Sequence, residues 1–291
     1  MAEIIFGPAG RAESFAKKGY KKMSEVPDYL REFGLRAYEY QCGHGVRYNR
    51  DEMLRLAQNG AADMVFSLHA PYYISMSSLE EETRLKSVDH ILQSAQALRI
   101  LGGSRIIFHS GSCGKQSREA ALSLAMDTMR RMVKAMDEAG YGDMTLCPEV
   151  MGKINQLGTL EEVLALCGVD ERITPCVDFG HLNARTLGGL AEEEDFARVL
   201  DTMENALGYE RAARLHVHFS KIEYTKGGEK QHLTFADTRF GPRFEPLLDQ
   251  FAKRRYAPVV ICESAGTQTE DAACMQQYYK SLMNSFAEVT V

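Results

Sequence analysis

PCVDFGHLNAR, residues 175–185, sets the problem of this chain. An apolar run that begins at Ile173 ends abruptly in Asp178, and His181 follows three residues later. A continuous apolar run with no polar alternation is how a parallel strand covered on both faces reads. Here a carboxylate and an imidazole stand where such a strand gives way to the next segment.

The same pattern recurs on both sides. Strands are expected at EIIF (3–6), AYEYQ (37–41), MVFSLH (64–69), RIIFH (105–109), TLCPEV (145–150), ITPCVD (173–178), RLHVHF (214–219) and PVVICE (258–263). The segments between them have helical spacing. In 79–101, Leu85, Val88, Leu92, Ala95, Leu98 and Leu101 recur at steps of three or four, with Ser78 as N-cap and Gly102–Gly103 as the stop. Residues 116–138 and 269–287 read as further helices. Eight strands, each followed by a helical segment, predict an α/β fold, the (β/α)8 or TIM barrel, as a single domain over 1–291. The alternative is an open doubly wound sheet. It would carry a Gly-rich phosphate loop, and GPAGRA (7–12) lacks the GxGxxG spacing.

Composition narrows the setting. The chain is 291 residues long and 45% hydrophobic, with a net charge of −6, so bulk charge gives no basic footprint for nucleic acid. Seven cysteines, an odd number without any CxxC, read as reduced thiols of a cytoplasmic protein. The N-terminus has no signal-peptide pattern, and no apolar stretch reaches the ~18 residues of a membrane span. A monomer is expected.

The ends of the expected strands carry chemistry. His69 and His109 end strands 3 and 4; Glu149, Asp178 and Glu263 end strands 5, 6 and 8; His216 and His218 lie on strand 7. His181 lies just past strand 6, and Glu229 and His232 lie in a long loop after strand 7. In a barrel all of these meet at one mouth. Three acids there would repel one another, and divalent cations are the simplest compensation. Mixed imidazole and carboxylate ligands suit zinc, manganese or iron rather than calcium. Eight or nine candidate ligands exceed the needs of one ion, so two or three metals with a bridging carboxylate are expected. Because residues alternate along a strand, His216 and His218 should face the same side.

With these residues in view, the chain resembles the endonuclease IV family (AP endonuclease family 2), within the xylose-isomerase-like barrels. The resemblance is carried by HAPYY (69–73), HSGS (109–112), PEVMGKINQLG (148–158), VDFGH (177–181), LHVHFSK (215–221) and CESAG (262–266). It implies a zinc enzyme that hydrolyses the DNA backbone 5′ to abasic sites through a metal-bound hydroxide. It further implies that His69 and His109 bind one zinc, with Glu149 bridging to a second completed by Asp178, His216 and Glu263. His181 would belong to a third zinc, together with ligands from the strand-7 loop. Glu149 or Glu263 would orient the nucleophile, and Tyr72 matches a family tyrosine that contacts distorted double-stranded DNA. Lys221 is a candidate phosphate contact, and His218 a candidate substrate contact.

The chain departs from the family pattern in GGEKQHLTF (227–235). Glu229 stands where Asp is expected, Gln231 where His is expected, and His232 is displaced by one residue. The third site is therefore either absent or rebuilt from Glu229 and His232. The alternative activity is a sugar isomerase or epimerase on the same barrel, using one or two divalent ions. Glu149, Asp178, His216 and Glu263 would serve a small sugar substrate equally well.

Overall fold

The computed structural model describes residues 3–289, with side chains through Ser285. Among the described residues ten strands occur, β1 Ile5–Pro8, β2 Ala37–Gln41, β3 Val65–His69, β4 Arg105–Phe108, β5 Thr145–Pro148, β6 Cys176–Asp178, β7 His216–Phe219, β8 Lys221–Thr225, β9 Gly228–Leu233 and β10 Val259–Cys262. Eight of them are parallel and close a barrel. β2, β3, β4 and β5 pair in series, as do β6, β7, β10 and β1. Single bridges, Ala9 to Glu39 and Glu149 to Cys176, join the two arcs. Each expected strand is present, and the expected single TIM barrel is the fold.

Gly7 shows why β1 and β2 meet so tightly. A Cβ there would stand 1.8 Å from the Ala37 carbonyl oxygen, so only glycine permits the approach. The outward faces of the strands, including Phe6, Leu68, Ile106, Phe108, Val177, Val217, Phe219 and Val260, pack beneath the helices in the main core. The helices Glu81–Leu101 and Arg118–Glu138 match the expected segments. The first begins two residues later than its sequence suggests. Its N-cap is Glu80, while the Ser78 hydroxyl accepts from the Glu80 amide. Gly102 ends it in the left-handed region at φ 80°.

Inside the barrel, alternation sets two levels. Glu39, Ser67, Ile107, Cys147, Cys176, His216 and Ile261 stand two residues below Gln41, His69, His109, Glu149, Asp178, His218 and Glu263 on their respective strands. The upper set rings the C-terminal mouth. At the opposite end, the Arg105 guanidinium donates to the carbonyls of Leu215 and Arg214.

The expected long loop after β7 is instead an antiparallel hairpin, β8–β9, with Lys226 and Gly227 at its turn. Part of the cue was present: KIEYT alternates polar and apolar residues and runs into a Lys-Gly turn. The segment 151–156, which also borders the mouth, is held by two arginines. Arg185 donates to the carbonyls of Met151, Lys153, Ile154 and Gln156. Arg118 donates to Ile154 and Gln156 and forks onto both oxygens of Glu162.

Glu162 also accepts from the Gly158 and Thr159 amides, closing a capping box with Thr159. Burial raises its pKa, but Arg118 and the two amides outweigh that and lower it below 4.5. A lowered folded pKa gives stability that is present above the unfolded value and lost as pH falls through the folded one. Glu162→Gln should therefore cost about 1.5–3 kcal/mol at neutral pH. It should also flatten the acid limb of a thermal-midpoint profile below about pH 4.5.

Candidate metal centre

Asp178 answers the question posed by 175–185. It ends β6 and at once caps the helix Phe179–Arg185, with its Oδ1 accepting from the His181 amide at 2.7 Å. The cap swings His181 over the mouth, where its Nδ1 lies 3.3 Å from Asp178 Oδ2 and 3.3 Å from Glu149 Oε1. Asp178 Oδ2 is buried and makes no hydrogen bond, and burial raises the pKa of this carboxyl.

Glu149 is the centre of the arrangement. Its Oε2 lies 3.0 Å from His69 Nε2 and 3.2 Å from His109 Nε2, and its Oε1 lies 3.2 Å from His218 Nδ1. Burial opposes its ionisation, but the imidazoles, His218 foremost, hold its pKa well below 4.5. Burial likewise opposes the charge on His69, yet Glu149 lifts that pKa to about 9.

Three donor groups surround one cleft. His69, Glu149 and His218 bring ligand atoms within 4.8 Å of one another, as do Glu149, Asp178, His218 and Glu263, and as do His181, Glu229 and His232. His109 adds its Nε2 at the Glu149 edge. The third group is built from separate elements. His181 comes from the helix after β6; Glu229 and His232 come from β9, with His181 Nε2 3.4 Å from Glu229 Oε2 and the two rings 5.4 Å apart.

Several imidazoles have one nitrogen engaged by the scaffold and the other facing the cleft. His69 Nδ1 bonds the Ala70 carbonyl, His181 Nδ1 the Val150 carbonyl and His232 Nδ1 the Ser220 hydroxyl. That is how metal-binding histidines are oriented. The cleft measures about 330 Å³ and has Lys153 as its one lysine or arginine among the described lining residues. Four acids sharing one ammonium leave a charge deficit that divalent cations would fill. The donor chemistry therefore fits such ions.

Three expectations meet a different geometry. His216 does not join the acids of the mouth. It faces inward one step lower, fully buried, with Nε2 2.9 Å from Glu39 Oε2, and the donor group it belongs to is Cys176, His216 and His218. Burial pushes its pKa down to about 4. His218, expected to contact substrate, stands instead among Glu149, Asp178 and Glu263. Two residues of strand rise, ~6.6 Å, separate the two levels. Lys221 is also displaced. It opens β8, and its ammonium donates to the Phe235 and Asp237 carbonyls, which ties it to the 235–237 segment rather than to the cleft. Tyr72 lies at the rim, half exposed, with its ring edge-on to His44 at 5.1 Å.

Glu39 went unnoticed in the sequence, although AYEYQ places an acid within a strand. It is fully buried and accepts from Gln41 Nε2 and from the Ser67 hydroxyl. The hairpin also depends on glycine. At Gly228, φ is +88° and a Cβ would stand 2.2 Å from the Gly152 carbonyl oxygen. Gly228→Ala should cost about 1–3 kcal/mol locally. It should loosen β9, seen as faster hydrogen exchange at the Glu229 amide, which now donates to Gly152.

Comparison with known proteins agrees with this architecture. A family model described as xylose isomerase-like TIM barrel matches residues 27–281, and the chain belongs to that family. An uncharacterized protein of Methanocaldococcus jannaschii is 33% identical over 96% of this chain and 98% of its own. A probable endonuclease 4 of Methanosphaera stadtmanae is 27% identical over 59% of this chain and 60% of its own. Among solved structures, a D-tagatose 3-epimerase-like protein superposes with a TM-score of 0.72 at 17% identity, covering 97% of this chain and all of that one. No helix among the described residues is long and apolar enough to cross a membrane.

Proposed function

We propose that this chain is a zinc-dependent phosphodiesterase that cleaves the DNA backbone 5′ to abasic sites, with two or three ions at the mouth. The supporting observation is the third donor group. His181, Glu229 and His232 converge beside two other groups on one cleft, although the loop that supplies two of them departs from the family spacing. A single ion has no use for so many ligands.

His69, His109 and Glu149 would hold one cation; Glu149, Asp178, His218 and Glu263 a second; His181, Glu229 and His232 a third. Bound there, the ions would supply Lewis acidity and neutralise charge building on the phosphate oxygens. Glu149 belongs to both of the first two groups and would serve either ion. Glu263 is the more exposed acid of the floor group, at 15%, and is placed to accept a proton from water entering the cleft. Lys153 offers the phosphate an ammonium from the rim. Tyr72 offers a ring face against which an unstacked base can lie.

A second reading has its own support. The cleft volume suits a small sugar, and Glu149, Asp178, His218 and Glu263 alone would serve a one-ion epimerase. Metal analysis followed by assay on an oligonucleotide with one abasic site separates the two. Two or more zinc per chain and EDTA-sensitive incision 5′ to the lesion are the expected result. One ion, no incision and epimerisation of a ketose would replace this reading with the second.

A further inference from the structure

We infer that Glu39 is a positioning residue of the metal centre, holding His218 with its proton on Nε2 so that the Nδ1 lone pair faces Glu149, Asp178 and Glu263. The inference rests on the reading of His218 as a ligand.

A lone buried carboxylate is costly, and Glu39 is completely buried inside the barrel. Its two oxygens are nevertheless fully engaged. Oε2 accepts from Ser67 at 2.9 Å and lies 2.9 Å from His216 Nε2; Oε1 accepts from Gln41 at 3.0 Å. These contacts stop the carboxylate from rotating. Oε1 also lies 3.0 Å from His218 Nε2. The alignment is off the hydrogen-bond axis, so the contact is mainly one of charge. With a cation bound on the Nδ1 side, where Glu149 Oε1 lies within hydrogen-bond reach, its sign decides the tautomer. A bare nitrogen lone pair facing a carboxylate at that distance is repelled, whereas an N–H is attracted.

With the proton on Nε2, Nδ1 is the free donor of the neutral ring. That atom lies 3.2 Å from Glu149 Oε1 and 3.6 Å from Glu263 Oε1, with an Asp178 oxygen inside the same group. The other anchored imidazoles lean on a backbone carbonyl or a serine. His218 lies within β7, paired on both sides by β6 and β10, where strand carbonyls are committed to the sheet. A side chain from across the barrel is left to do the work, and β2 supplies it. A carboxylate partner also raises the basicity of the ring beyond what a carbonyl achieves.

The test uses the full chain loaded with zinc. Nitrogen-15 NMR should show His218 protonated at Nε2. Glu39→Gln should weaken zinc binding about 10–100-fold by chelator competition. It should also shift the visible spectrum of the cobalt-substituted protein. His218 protonated at Nδ1 in the wild type, or a Glu39→Gln protein with wild-type zinc affinity, would overturn the inference. The wild-type spectrum decides the matter even if the variant fails to fold. His218→Ala separates the two levels of the argument. If it loses zinc while Glu39→Gln does not, the role of Glu39 alone fails. If it keeps wild-type affinity, or if the wild type takes up no zinc, the ligand assignment fails with it.

Discussion

Glu149→Ala should lower activity by at least about 10³-fold and strip the protein of more than one cation. Loss of a residue that only orients a ligand costs ~10–100-fold. Glu149 does more, since it belongs to two donor groups and lies within 3.3 Å of nitrogens from His69, His109, His181 and His218. Removing it leaves those imidazoles without the carboxylate around which they are arranged. Metal content and turnover should fall together while circular dichroism stays that of the folded barrel. Glu149→Gln keeps the volume and removes the charge, and should fall almost as far. A variant that keeps its full complement of metal and loses only activity would confine Glu149 to proton transfer. Full activity would remove it from the site altogether.

His216 and His218 give the second large effect because the two are so nearly alike in sequence. His218→Ala should abolish cation binding at the floor of the cleft. It should also destabilise the metal-free protein by about 3–5 kcal/mol, because Glu39 and Glu149 both lose a buried partner. His216→Ala should also cost stability, through a cavity and a lost contact with Glu39, yet leave the number of bound cations unchanged. Thermal midpoints and metal analysis on the two variants give the comparison. Reversal of the metal result would return His216 to the ligand set. Both measurements are independent of whether the substrate is DNA or a sugar.

The strands were legible because a doubly covered parallel strand has to be apolar throughout, and eight such runs with helical segments between them leave few ways to fold. The hairpin after β7 was less legible, because KIEYT alternates but GEKQHL beyond the turn is polar through His232. The acids and imidazoles at the strand ends were legible too, since charged groups at the close of apolar runs have no structural reason to be there.

What the chain order determined alone was therefore the barrel and the set of groups that reach its mouth. Which histidine of HVH stands among the acids was decided by barrel closure, which fixes the height of each strand relative to its neighbours through strand tilt and shear. The same holds for Glu39, which meets His218 across 179 residues of sequence only because β2 and β7 face each other through the interior. His181, Glu229 and His232 likewise come together only when the helix after β6 and the hairpin pack over one rim. Spacing along a chain specifies which side of a strand a residue takes, but a ligand set is a matter of distance between strands, and that distance exists only once the sheet has closed.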